Sequence, residues 1–108
     1  MSIPRGTTPT NYFDLPADLS ETAVLYLSYA QGKVIIIEKE KTDMTFTEND
    51  EGDYAYTISV RLTQEDTLAL NDAKPVEMQF RGRFPDGTAV ESEIMRTSVD
   101  RILKDGVI

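Results

Sequence analysis

The side chains best suited to chemistry in this chain are carboxylates. Glu38 with Glu40, and Glu91 with Glu93, stand at i, i+2 spacing, which on a β-strand sets two carboxylates on one face about 7 Å apart. That separation suits a pair flanking a water in inverting glycoside hydrolysis, one as general acid and one as base. General acid work needs a raised pKa and therefore an enclosed site. Both pairs have polar neighbours instead, the pattern of a solvated strand face. A third acidic group, Glu48-Asn49-Asp50-Glu51-Gly52-Asp53, reads as an ion loop or a plain acidic turn. An EF-hand places oxygens at loop positions 1, 3 and 5, Gly at 6 and Glu at 12. With Gly52 at position 6, Thr47 falls at position 1 and Ile58 at position 12, so that reading fails. A looser oxygen cage and an acidic turn both stay open, and no metal ligand set is assigned. Arg81 and Arg83 share a strand face and could clamp a phosphate or carboxylate. Glu77 and Gln79 continue that face, however, and cross-strand pairing with acidic residues explains the arginines more simply. Gly82 between them fits a bulge or a close backbone approach.

What is missing narrows the chemistry further. The 108 residues include no His and no Cys, which removes the commonest general base, the commonest metal ligand and the Ser-His and Cys-His nucleophile pairs. No phosphate loop, dinucleotide fingerprint or nucleophile elbow occurs. No catalytic residue and no cofactor are assigned, and the expectation is a non-enzymatic protein. A net charge of −8, from 11 basic and 19 acidic residues, repels phosphate backbones and anionic lipid alike, so neither nucleic acid nor membrane is an expected partner. Met1-Ser2-Ile3-Pro4-Arg5 lacks a basic region followed by an apolar run, so no secretory leader is expected. Apolar runs such as Val34 to Ile37 are far below the ~20 residues that cross a bilayer. A cytoplasmic protein is expected, held there or built into a larger particle.

The elements that would carry these residues read as short strands. Residues 54–62 alternate strictly, with Tyr54, Tyr56, Ile58, Val60 and Leu62 on one side and Ala55, Thr57, Ser59 and Arg61 on the other, which predicts a strand with one buried face. Thr63-Gln64-Glu65-Asp66 is a capping signature that starts one short helical turn near Thr63–Leu70. Before these come a leader arm over 1–9, a strand from Thr10 to Leu15 with Phe13 and Leu15 inward, and two strands, Thr22–Tyr29 and Val34–Lys41, around Gln31-Gly32. That hairpin pairs Ala30 with Lys33, Ser28 with Ile35 and Tyr26 with Ile37. Met44 and Phe46 alternate with Thr45 and Thr47 in a short strand. Beyond the helical turn, Val76, Met78, Phe80 and Phe84 alternate with Glu77, Gln79, Arg81 and Arg83. The turn Pro85-Asp86-Gly87-Thr88 then leads to a last strand over Ala89–Thr97, where Met95 breaks the pattern and predicts a bulge. Residues 98–108 read either as a short helix capped by Ser98 or as more strand. One domain over 10–108 follows, an immunoglobulin-like antiparallel β-sandwich of about seven strands with one helical turn.

Apolar character on both faces of the second and third strands carries the functional reading. In the expected register Leu25, Leu27, Tyr29, Val34 and Ile36 line one face, and Val24, Tyr26, Ile35 and Ile37 the other. A sheet with one wet face alternates more cleanly. The second face is therefore covered by another part of this chain or by another protein, and Val24, Tyr26, Ile35 and Ile37 are the interface candidates, with self-association into a homo-oligomer included.

Arg5-Gly6-Thr7-Thr8-Pro9, the corner Leu62-Thr63-Gln64-Glu65-Asp66 and Phe84-Pro85-Asp86-Gly87-Thr88 resemble small prophage proteins of Gram-positive bacteria. Those are similar to the immunoglobulin-like N-terminal module of phage baseplate and fibre proteins. The resemblance implies structural work in a phage particle through protein–protein contacts, with no catalytic residue to carry over. Larger relatives continue beyond the position of Ile108, so a standalone accessory or adaptor protein, cytoplasmic before assembly into a virion, is the expectation. The competing expectation is a carbohydrate-binding or adhesion module that stacks sugars on Tyr12, Tyr26 or Tyr29.

Overall fold

A computed structural model describes residues 1–49 and 55–108. Nine strands lie among them: β1 (Ser2–Pro4), β2 (Thr10–Leu15), β3 (Val24–Gln31), β4 (Val34–Glu40), β5 (Met44–Glu48), β6 (Tyr56–Arg61), β7 (Val76–Arg83), β8 (Ala89–Glu91) and β9 (Met95–Asp100). One short helix, α1 (Gln64–Leu68), follows β6, and a single 3-10 turn (Lys41–Asp43) follows β4. The larger sheet has the order β1-β9-β7-β3-β4 with β8 also beside β7, and the smaller has the order β2-β6-β5. The result is an all-β sandwich, as the alternating segments predict.

Strands β2, β6 and β7 form where their sequences supply one apolar side. In β2, Asn11, Phe13 and Leu15 are buried while Thr10, Tyr12 and Asp14 face water. In β7, Val76, Met78, Phe80 and Gly82 are buried against an outer row of Glu77, Gln79, Arg81 and Arg83. In β6, Ile58 and Val60 continue inward, with Leu62 beyond the strand end; Tyr54 lies outside the described residues. The two inner faces meet in one core, where the rings of Phe13 and Phe80 sit edge to face at 5.1 Å and 87°, a favoured aromatic geometry. Gly82 is a close-approach site: a Cβ there would fall 2.9 Å from both Leu25 Cδ1 and the Val24 carbonyl oxygen.

Three details differ from the sequence expectation, and a fourth decides between alternatives it left open. The β3–β4 loop is Gly32-Lys33, both at positive φ (56° and 70°), the backbone that a two-residue hairpin turn requires. Gln31 therefore pairs with Val34 and Ala30 with Ile35, two residues from the expected partner Lys33. A bulge between Tyr29 and Ala30 then shifts the ladder, so that Tyr29 pairs with Ile37 and Tyr26 with Glu40. The extra residue moves Ile37 to the inner face, where it is 4% exposed. Secondly, Ser2–Pro4 pairs with Ser98–Asp100 as a parallel strand and buries Ile3 completely. Thirdly, the last expected strand is broken rather than bulged. Ser92 leaves the ladder, and its hydroxyl accepts the Phe80 N–H at 2.9 Å while its own N–H reaches the Phe80 carbonyl. Lastly, residues 95–100 are strand and no helix follows them, which settles the ambiguous end in favour of the extended form as far as Asp100.

Candidate functional site

Two surfaces differ from an ordinary solvated exterior. The first is the outer face of the larger sheet, set by the cross-strand register. On β3 it presents Val24, Tyr26, Ser28 and Ala30. Tyr26 lies between Glu40 of β4 and Arg81 of β7, and Arg81 lies in turn opposite Glu91 of β8. Ser28 lies between Glu38 and Gln79, and Ala30 between Ile35 and Glu77. The face is thus an apolar band along β3, with Glu38 and Glu40 on the β4 side and both carboxylates and guanidinium groups, Glu77, Arg81, Arg83 and Glu91, on the β7 side. Val24 is 36% exposed, Tyr26 38% and Ile35 55%, so no segment among the described residues covers the band. Glu77 and Arg96 form a cross-strand ion pair at 3.3 Å, whereas Arg81 and Arg83 make no ion pair among the described residues.

Of the four expected interface residues, the structure brings Val24, Tyr26 and Ile35 onto this face and takes Ile37 into the core. The register shift at the bulge separates them, because one extra residue reverses which side every later side chain takes. The tyrosines named as sugar platforms are scattered. Tyr12 is on the outer face of the smaller sheet, Tyr26 on the outer face of the larger, and Tyr29 is fully buried.

The second surface is a groove of about 630 Å³ where the sandwich opens between the end of β2 and β8. Leu15, Leu25, Phe80, Phe84, Val90 and Met95 form its floor and walls. Three carboxylates, Asp14, Glu91 and Glu93, line its rim. Such a groove can hold an apolar side chain beside a cation. Sequence reading did not find it, since it arises from the break after Glu91 and the approach of two strand ends distant along the chain. The apolar pairs Ala89-Val90 and Ile94-Met95 flanking the polar interruption Glu91-Ser92-Glu93 were the available signal.

The carboxylate pairs sit differently from one another. Glu38 and Glu40 do share the outer face of β4, while Glu93 lies beyond the end of β8, off the ladder that holds Glu91. All four glutamates are exposed. The acidic segment read as a possible ion loop lies, for residues 50–53, outside the described residues; among the described residues no group of three or more Asp or Glu is placed to hold a metal ion. No helix among the described residues is long and apolar enough to cross a membrane.

Perturbed titrations mark structural positions. Burial pushes the Tyr29 phenol up to about 12 despite the hydrogen bond that Asn11 donates to its oxygen at 2.8 Å; the Asp66 charge adds to the rise. Burial alone would raise the Asp66 carboxyl, but the Lys39 ammonium at 2.7 Å and the hydrogen bonds with Thr63 outweigh it and hold the group below its ordinary value. Asp18 and Asp86 are lowered by hydrogen bonds from Ser20 and Thr88 within their own turns. No protein-family model matches the chain, and no curated protein matches it.

Proposed function

We propose that this chain is a non-enzymatic structural or accessory protein, of the phage-particle kind that its turn motifs resemble, acting through protein–protein contacts made by the outer face of the larger sheet. The observation that carries the reading is the apolar band of Val24, Tyr26 and Ile35, left open on β3 and the neighbouring edge strand β4. An exposed Tyr–Val pair with charged flanks matches the anatomy of a contact surface, with an aromatic anchor inside a polar surround. The scattering of the tyrosines leaves the sugar-binding reading without a shared platform, and the exposure of the four glutamates leaves the hydrolase reading without an enclosed acid.

In-cell photo-crosslinking tests the proposal. A photoreactive phenylalanine analogue at Ile35, in the cells that make the protein naturally, is expected to give a discrete adduct with a protein. The same probe at Tyr12, on the other sheet, is expected to give none. Equal yields at both positions, or no adduct at Ile35, would count against a contact surface on this face.

A further inference from the structure

We infer that the groove between β2 and β8 takes an extended basic peptide. The peptide adds as a strand to the free edge of β8 and sends a bulky apolar side chain into the groove. This site is distinct from the outer face of the larger sheet and stands or falls without it. Backbone geometry supplies the first argument. β8 pairs with β7 and with no other strand among the described residues. In that hairpin the Phe84 N–H donates to the Thr88 carbonyl, and the Ser92 N–H to the Phe80 carbonyl. Bonded pairs alternate along an antiparallel ladder, so Val90 directs its N–H and C=O to Gly82. Those of Ala89 and Glu91 point away from β7, and no partner among the described residues meets them. A strand contributed by another chain completes such an edge.

Register then assigns the side chains. Val90 lies opposite Gly82, on the inward side of β7, and lines the groove with Leu15, Leu25, Phe80 and Phe84. In a strand added beside β8, the residue next to Val90 faces the same way, into about 630 Å³ of mainly apolar space. Its two neighbours face out, toward the rim. Charge decides what those neighbours are. Asp14, Glu91 and Glu93 line the groove, and no Lys or Arg does. Arg81 and Arg83 lie one strand away on β7, opposite Glu91 and Ala89, so Glu91 is the least available of the three carboxylates. Asp14 accepts a hydrogen bond from the neutral Thr57 hydroxyl at 2.8 Å. Neither Asp14 nor Glu93 makes an ion pair among the described residues. On a chain of net charge −8, two carboxylates without a counter-charge favour Lys or Arg beside the apolar residue and repel Asp or Glu.

Titration of the whole ¹⁵N-labelled chain with the peptide acetyl-Lys-Thr-Lys-Phe-Lys-Thr-Lys-amide, followed by amide NMR spectra, provides the test. Shifts are expected at Ala89, Val90 and Glu91 and at the groove residues Leu15 and Phe84. Hydrogen exchange at the Ala89 and Glu91 amides is expected to slow. Three altered peptides separate the parts of the site. Ala in place of Phe, Glu in place of every Lys, and N-methylation of Phe with its flanking Lys residues are each expected to bind about tenfold more weakly or worse. The double variant D14K/E93K, changed only at exposed positions, is expected to lose about tenfold in affinity for the basic peptide while its thermal melt stays close to that of wild type.

Absence of shifts around β8 at millimolar peptide overturns the inference, as do shifts centred instead on Tyr26 and Ile35. An Ala peptide that binds as well as the Phe peptide reduces the effect to charge alone and removes the groove from it. An N-methylated peptide that binds equally removes strand addition. The crosslink at Ile35 reports on the other face, so the two proposals fail separately.

Discussion

At the scale of single residues, the buried pair Asn11–Tyr29 ties the two sheets together. Asn11 on β2 is 3% exposed and Tyr29 on β3 fully buried, and the amide donates to the phenol across the sandwich. Replacing Tyr29 with Phe leaves the amide buried and unpaired, a loss expected to cost about 1–3 kcal/mol in urea unfolding at pH 7. The pH dependence has a definite sign. The folded phenol holds its proton up to about 12, against an ordinary value near 10, so its contribution is fully present below pH 10. It is lost between about pH 10 and 12, at up to about 1.4 kcal/mol per pH unit. Tyr29→Phe should therefore show a shallower alkaline loss of stability than wild type; an unchanged slope would assign the alkaline loss to other groups. The period-two pattern places Tyr29 inward in the sequence, but its partner, 18 residues away, is a fact of how the sheets face each other.

At the scale of elements, α1 is too short to stand on its own intrinsic stability, and its first turn is held by a reciprocal cap. Thr63 accepts the Asp66 N–H, and the Asp66 carboxylate accepts the Thr63 N–H. The same carboxylate meets Lys39, whose ammonium reaches inward from β4 to only 15% side-chain exposure. Asp66→Ala removes the cap and the ion pair together, and a loss of about 1–2 kcal/mol is expected from thermal or urea unfolding. Because the folded carboxyl is held below its ordinary value, its contribution is present above about pH 4 and is lost as pH falls through the folded value. The variant should lack that part of the acid dependence. The capping box was legible in Thr63-Gln64-Glu65-Asp66. Lys39 was not, because it reads as one of four alternating charges; the bulge that turns Ile37 inward turns Lys39 inward with it.

At the scale of the whole molecule, the two ends of the described chain close one edge of the larger sheet. β1 pairs in parallel with β9, a Ser2–Asp100 side-chain hydrogen bond reinforces the edge, and Ile3 is fully buried beneath it. Parallel neighbours need a long connection, and here nearly the whole chain provides it. Ile3→Ala should cost about 2–5 kcal/mol, the ordinary range for emptying a buried aliphatic site. A loss under about 0.5 kcal/mol would mean that the first strand detaches in solution. A lone apolar residue between Ser2 and Pro4 carries no periodicity, so nothing local marks those residues as part of the sheet. Here non-local pairing alone makes the strand.

The sequence by itself determined the class of the fold, the location of most strands and which side of each faces inward. Those properties follow from period-two alternation and turn chemistry, and both are encoded within a few residues. It also determined the chemical poverty of the chain, since absent His and Cys stay absent in any fold. Tertiary structure alone decided that Ile37 is core while Val24, Tyr26 and Ile35 stay open, because a single bulge reverses the sides of everything beyond it. It likewise decided that Glu40, Tyr26 and Arg81 form one row. They lie on three strands up to 55 positions apart, and only hydrogen-bonded register can place such residues side by side.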